Sequence, residues 1–86
     1  MPTHKHWFKD SNTGVIVQWG FSSTYGGSTI WFPVAFPSAC FNVQVSPYSP
    51  GSTKTSEVAV QSYSTTSAVL IENSDNTEIF WLAIGY

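Results

Sequence analysis

Short runs of β-branched and aromatic residues, separated by turn-forming residues, recur along this chain from its first third to its end. No stretch repeats apolar residues at helical spacing over the length that a helix needs. Runs of this composition and length are typical of β-strands. Six strands are predicted: Val15–Trp19, Thr29–Phe32, Phe41–Ser46, Glu57–Tyr63, Ala68–Glu72 and Glu78–Ile84.

The segments between these strands are short and rich in glycine, proline, serine and asparagine. Connections of this length favour antiparallel neighbours, because a parallel pair needs a crossover of about a dozen or more residues. The predicted fold is therefore all-β, a six-stranded antiparallel β-sandwich. The predicted turns are Gly20–Ser28, Pro33–Ser38, Pro47–Thr55, Ser64–Ser67 and Asn73–Thr77.

Alternation of apolar and polar residues assigns the faces of the strands. In the third strand Phe41, Val43 and Val45 alternate with polar residues and are predicted to point into the core. The last strand differs, because Ile79, Trp81 and Ala83 on one side and Phe80, Leu82 and Ile84 on the other are all apolar. Such a strand is covered on both faces, and a two-layer monomer covers only one. The second cover is predicted to come from another subunit, with candidate interface residues Trp19, Trp31, Ile79 and Trp81.

Composition agrees with an oligomer and argues against several partners. Aromatic residues make up 16% of the chain and charged residues 9%, which leaves much apolar surface and few charges to keep a monomer dispersed. Three lysines, no arginine and a net charge of −2 disfavour nucleic acid. No apolar run approaches the roughly 18 residues of a membrane span, so membrane insertion is not expected. Cys40 has no partner for an internal disulfide and is predicted to be a small buried apolar residue.

Three segments together resemble a known family. They are Gly14–Gly20, Ile30–Pro37 and Ile79–Tyr86, in this order and within a match from about Trp7 to Tyr86. This arrangement resembles the C-terminal tip domain of bacteriophage and prophage tail-fibre proteins. It is also similar to the H-type lectins, which are trimeric β-sandwiches that bind N-acetylgalactosamine-like sugars.

The resemblance implies a homotrimer at the distal end of a tail fibre in the virion, made in the host cytoplasm. Residues 1–13 would lead from the fibre shaft, and residues 14–86 would form the receptor-binding domain of a longer fibre. Its partner would be a host surface glycan such as lipopolysaccharide. The lectins use an aspartate before the second strand and a later arginine, whereas this chain has Thr24–Ser28 and no arginine. Their sugar specificity is therefore not carried over, and a structural trimerisation cap or a stand-alone lectin are the alternative functions.

Carbohydrate recognition needs flat apolar faces for the C–H side of the sugar and polar groups for its hydroxyls. The predicted loop after Gly20 offers aromatic residues among serines and glycines, and the Asn73–Asn76 turn offers carboxylate and amide groups. The turn residues are equally explained by hairpin geometry, and Trp31 by a lone exposed indole. Gln61 and Tyr63 on the fourth predicted strand are predicted to share one face. The candidate ligand-binding residues are Phe21, Tyr25, Trp31, Gln61, Tyr63, Asp75 and Asn76.

Two histidines near the N-terminus raise the question of a metal. His4 and His6 lie on one side of an extended segment, and three such segments around a threefold axis would supply six nitrogens. Six nitrogens suit an octahedral transition metal, and fibres that resemble this chain sometimes hold iron in this way. Termini are usually mobile, so no cofactor is expected, and iron on the threefold axis is the alternative.

Catalysis has little support in the sequence. The histidines lie outside the predicted strands, so a serine and a histidine are not brought together. A carboxylate pair of the glycosidase kind is conceivable for Glu72 with Asp75 or Glu78. A sandwich of this size lacks a deep cleft, however, so the chain is predicted not to be an enzyme.

Overall fold

The computed structural model describes residues 6–24, 27–48, 58–72 and 77–86. These ranges hold seven strands and no helix that could cross a membrane. The predicted all-β antiparallel class is confirmed, and the count of six is wrong because a short first strand was missed. The strands are β1 (Trp7–Lys9), β2 (Ile16–Thr24), β3 (Gly27–Trp31), β4 (Cys40–Tyr48), β5 (Val58–Tyr63), β6 (Ser67–Glu72) and β7 (Thr77–Gly85).

The strands form two antiparallel sheets. A four-stranded sheet has the order β1-β2-β7-β4, and a three-stranded sheet has the order β3-β6-β5. We call them the large sheet and the small sheet. At the centre of the large sheet β2 pairs with β7 along its whole length, from Ile16 opposite Gly85 to Thr24 opposite Thr77. The end of the chain is thus held in the middle of the larger layer.

The missed strand β1 lies at the edge of the large sheet. Trp7 pairs with Gln18, and its side chain packs against the core. Three residues are too few to give a readable alternation, which explains why the pattern did not predict them. The boundary predicted between residues 13 and 14 falls in the turn that joins β1 to β2, so Trp7–Lys9 belongs to the sandwich. A connection from residues 1–13 to a fibre shaft stays a prediction.

The core lies between the two sheets, and a connecting segment adds to it. Phe36 belongs to the segment predicted only as a turn, yet it is 2% exposed. Its ring lies 5.3 Å from that of Phe32, which lies 5.8 Å from that of Trp81. The buried apolar residues are Ile16, Ile30, Phe32, Phe36, Cys40, Ala68, Leu70, Ile79, Trp81 and Ala83.

A buried polar side chain attaches this segment to the large sheet. Gln18 on β2 is fully buried. Its Nε2 donates to the carbonyl of Val34 at 2.6 Å, and the amide of Val34 donates to its Oε1 at 2.9 Å. The side-chain amide therefore bonds the backbone of Val34 as a neighbouring strand would, which satisfies buried polar groups on both sides.

Close packing beside Gln18 requires a glycine. Gly20 on β2 lies directly opposite Trp81 on β7. A Cβ at residue 20 would stand 2.5 Å from the Nε1 of Trp81. Any larger residue would therefore displace the indole from the core.

Two predicted faces were wrong. Ile79 and Trp81 on β7 are buried between the sheets, so the side of this strand that faces outward is the one with Phe80. On β4 a register shift between Cys40 and Asn42 interrupts the alternation, and Phe41 is exposed instead of buried. Val43 and Val45 do pack against the core, as predicted.

Cys40 is buried and free, as predicted. Removal from water raises the pKa of its thiol, because burial disfavours the charged thiolate. A thiol of this kind acts as a small apolar residue in the core.

Candidate binding surfaces

The outer face of the large sheet carries a continuous apolar surface. On β2 the side chains of Ile16 and Gln18 point into the core, so Trp19 and Phe21 point outward. Trp19 remains 39% exposed and Phe21 49% exposed. Each faces an apolar partner on β7 across the sheet, Trp19 opposite Leu82 and Phe21 opposite Phe80.

The same face continues to the edge strand β1. Val17 lies opposite Ile84 on one side and opposite Phe8 on the other. Phe8 is 64% exposed. The apolar surface therefore crosses three neighbouring strands, which is wider than a scatter of single exposed residues.

Three aromatic rings form a cluster on this face. Phe21 and Phe80 have centroids 5.0 Å apart, and Tyr48 on β4 lies 5.8 Å from the first and 5.3 Å from the second. These are ordinary aromatic packing distances. Each ring is nevertheless 42–49% exposed. The outer aromatic cluster, as we call these three residues, is therefore ordered by mutual contact but is not covered.

The β4 edge of the outer face is polar. Asn42, Gln44 and Ser46 are exposed and lie opposite Ile84, Leu82 and Phe80 respectively. A shallow groove runs between these two strands, lined by Gln44, Ser46, Phe80 and Leu82 with Val45 and Trp81 beneath. The apolar surface of the outer face is thus bordered by polar residues along part of β4, and a polar border of this kind is common at protein interfaces.

The small sheet presents a different surface around Trp31. Ile30 points into the core, and Trp31 points outward with 71% of its side chain exposed. Its register partner on β6 is Ser67. The next outward residue on β3, Thr29, lies opposite Val69. This surface therefore offers one large aromatic face in a setting of small and hydroxylated residues.

The Ser64–Ser67 hairpin stands beside Trp31. The amide of Ser64 donates to the carbonyl of Ser67 at 2.8 Å, and the amides of Thr66 and Ser67 each donate to the Oγ of Ser64 at 3.3 Å. The hairpin is also attached to the chain after Trp31, because the amide of Phe32 donates to the carbonyl of Thr66 at 3.0 Å. The turn predicted here is confirmed, and the pairing of Ser67 with Trp31 places this hydroxyl-bearing hairpin next to the end of β3.

The residues predicted for a subunit interface are not brought together. Trp19 lies on the outer face of the large sheet and Trp31 on the outer face of the small sheet, on opposite sides of the sandwich. Ile79 and Trp81 are 0% and 7% exposed inside one chain, so they are corrected to core residues. The pattern missed the outward position of Phe80, whose only signal was that its strand is apolar on both sides.

The residues predicted to bind a ligand are also dispersed. Phe21 lies on β2 and not in a loop, because β2 continues to Thr24. Gln61 and Tyr63 are exposed, but a register shift between Val60 and Ser62 interrupts the alternation that placed them on one face. Tyr25, Asp75 and Asn76 lie outside the described residues.

The prediction of a bound metal stays open. His4 lies outside the described residues, and His6 is an exposed residue before β1 whose carbonyl accepts from the amide of Trp19 at 2.9 Å. The described ranges hold no group of three or more histidine, cysteine, aspartate or glutamate side chains placed to bind a metal ion. Iron held by His4 and His6 stays a prediction.

The fold and its surfaces define a small antiparallel β-sandwich module with one apolar sheet face left uncovered. The chain belongs to the family described as putative tail fiber protein gp53-like, C-terminal, whose model matches residues 9–86. The resemblance to tail-fibre C-terminal domains that the three sequence segments indicated is thereby confirmed.

Relatives and solved structures agree with this membership. The chain is 38% identical over 80 residues to the uncharacterized protein StfP of Escherichia coli K12, covering 84% of this chain and 38% of that one. It is 31% identical over 90 residues to the putative tail fiber protein gp36 of Acyrthosiphon pisum secondary endosymbiont phage 1, covering 93% and 26%. The chain thus spans well under half the length of these curated relatives.

Two solved pyocin fibres share the fold. An N-truncated R1-type pyocin tail fiber matches with a TM-score of 0.79 and 36% identity, over 93% of this chain and 78% of that one. The R2 pyocin fiber of P. aeruginosa matches with a TM-score of 0.83 and 26% identity, over 93% and 23%. The sandwich is therefore the fold of a tail-fibre C-terminal domain, which is consistent with host attachment.

Proposed function

We propose that this domain is the receptor-binding tip of a tail fibre, which attaches the virion to its host by binding a surface glycan such as lipopolysaccharide. It acts as a homotrimer at the distal end of the fibre, is made in the host cytoplasm and catalyses no reaction. Membership of the tail-fibre family supports the setting. The uncovered outer face of the large sheet is the observation that supports the homotrimer.

The partner on this outer face is a further copy of the same chain. Glu78 is the charged residue among the described outer-face positions that pair across β2, β4 and β7, so the face offers little for a partner of opposite charge. Its aromatic cluster and its apolar neighbours suit instead an equally apolar surface. Copies that pack these faces around a threefold axis would remove them from water and would leave the small sheets outside.

Sedimentation of a matched pair of variants tests the trimer. Phe80→Glu places a charge in the outer aromatic cluster, and we expect it to convert trimers to monomers because an unpaired charge would be buried at the interface. Ile71→Glu is the control, because Ile71 is exposed to a similar extent, 46% against 49%, but lies on the small sheet. A monomeric unmodified protein, or equal masses for both variants, would refute this interface.

Adsorption of the purified trimer to bacterial cells tests attachment. We expect labelled domain to bind cells and to be displaced by extracted lipopolysaccharide, with three sites in one trimer raising the effective affinity by about 10²–10⁴ where the geometry permits. The alternative is a structural cap that only holds the fibre chains together. The uncovered outer face favours a trimer under either function, so a trimer that binds no cell would identify the cap.

A further inference from the structure

We propose that Trp31 and the Ser64–Ser67 hairpin form a stacking subsite for an uncharged pyranose unit of the glycan. This inference rests on the proposed function, and it names the part of the ligand and the side of the domain that meet. It assigns the subsite to the outer face of the small sheet. Recognition and assembly would then use opposite layers of one sandwich.

The position of Trp31 is the first argument. It is the most exposed of the described large apolar side chains, at 71%. Its backbone is held in β3 by pairing with β6, and the next residue, Phe32, is buried in the core. An indole on a rigid strand loses little conformational freedom when a ligand packs on it. Trp31 is therefore a preorganised flat apolar surface.

The neighbouring hydroxyl groups are the second argument. The hydroxyls of Thr66 and Ser67 lie 3.3 and 3.5 Å from the Oγ of Ser64, which are long distances for hydrogen bonds between hydroxyls. Each hydroxyl can donate once and accept twice, so both retain capacity for further hydrogen bonds. A pyranose ring presents a C–H face that packs on an aromatic ring and hydroxyls at its edge that need such partners. The subsite supplies both kinds of contact side by side.

The absence of charge in the described part of this surface selects the kind of sugar. The described acidic residue of the small sheet is Glu72, at the far end of β6 from Ser67. Five residue steps along the strand separate them by about 16 Å, at about 3.3 Å per residue. No lysine of the described ranges lies on the small sheet. A neutral hexose or deoxyhexose therefore fits better than a uronate or a phosphorylated sugar, which would need a cation.

The tryptophan side-chain signals of the trimer measure this directly. The chain has four tryptophans, and a ¹⁵N-labelled sample gives one indole N–H signal for each. We would titrate the trimer with methyl glycosides of neutral hexoses and deoxyhexoses, and with methyl glucuronide as the charged comparison. The expected result is a shift of the Trp31 signal, assigned by its loss in Trp31→Phe, with neutral glycosides only. An equal shift with the glucuronide would overturn the choice of a neutral sugar.

Cell adsorption of variants provides the second readout. Trp31→Ala should fold and remain a trimer, because the side chain lies outside the core and outside the large-sheet face of the proposed interface. It should lower adsorption by about tenfold or more, since the loss at one site is repeated in each copy. Ile71→Ala on the same outer face, near the other end of β6, is the control and should adsorb as the unmodified protein does. Trimers of Trp31→Ala that adsorb normally would overturn the subsite and leave the proposed function intact. An unmodified trimer that binds neither cells nor lipopolysaccharide would overturn the proposed function itself.

Discussion

At the scale of single residues, this domain depends on a few side chains whose role lies in their immediate contacts. Gln18 bonds the backbone of Val34, and Gly20 leaves room for the indole of Trp81. Both are on β2 at positions that face the core. A polar residue and a glycine interrupt the apolar pattern of this strand at core-facing positions. In each case a specific neighbour explains the residue, Val34 for the polar side chain and Trp81 for the glycine.

The contribution of Gln18 is open to measurement. Gln18→Leu replaces the polar amide with an apolar side chain of similar size and leaves the N–H and C=O of Val34 without partners, which should cost about 2–4 kcal/mol of unfolding free energy. Urea unfolding measures this cost, and Gln61→Leu at an exposed site is the control. If Gln18→Leu unfolds at the same urea concentration as the control, the bonds to Val34 contribute nothing to stability.

At the scale of elements, the strands follow from local sequence, but their faces do not. All six predicted strands correspond to observed ones, and β2 and β7 extend further than predicted. Bulges in β4 and β5 then change which residues face outward. A bulge inserts one residue without altering composition, so the alternation of apolar and polar residues does not reveal it.

The turn between β1 and β2 should make the stability depend on pH. The hydroxyl of Thr13 donates to the carboxylate of Asp10 at 2.6 Å, and this bond, with one from the amide of Asn12, lowers the pKa of Asp10 below its ordinary value of 3.8. Because the folded pKa is the lower one, the contribution to stability is present above the unfolded pKa and is lost as the pH falls through the folded pKa.

Unfolding followed from neutral pH to about pH 2 should therefore show a decline in stability that is shallower in Asp10→Asn. Thr13→Val removes the main donor and should reduce the decline in the same way. Identical pH profiles for all three proteins would show that the turn does not couple to protonation.

At the scale of the whole molecule, the sandwich leaves one layer incompletely covered. An 86-residue domain buries only about 60–65% of the surface of its unfolded chain, so its stability alone is small. Packing the outer face of the large sheet against further copies would add the cover that a single chain lacks. The folded state of each chain would then depend on assembly for much of its stability.

Thermal unfolding at a series of protein concentrations tests this coupling. For a trimer that is more stable than its monomer, the midpoint temperature should rise with concentration, because association draws the equilibrium toward the folded state. The Phe80→Glu variant should show a lower midpoint that is the same at all concentrations. If the midpoint temperature of the unmodified protein does not change with concentration, assembly does not contribute to its stability.

The sequence by itself determined six of the seven described strands, the antiparallel class, the Ser64–Ser67 turn and the family, because each is encoded in residues close together along the chain. Only the tertiary structure decided which face of β7 is buried. Both faces of that strand are apolar, so the hydrophobic pattern is satisfied by either orientation, and the choice depends on what the opposite sheet and Gly20 can accommodate. The same physical reason separates Trp19 from Trp31: residues that look alike in sequence were assigned to opposite surfaces by the packing of two sheets.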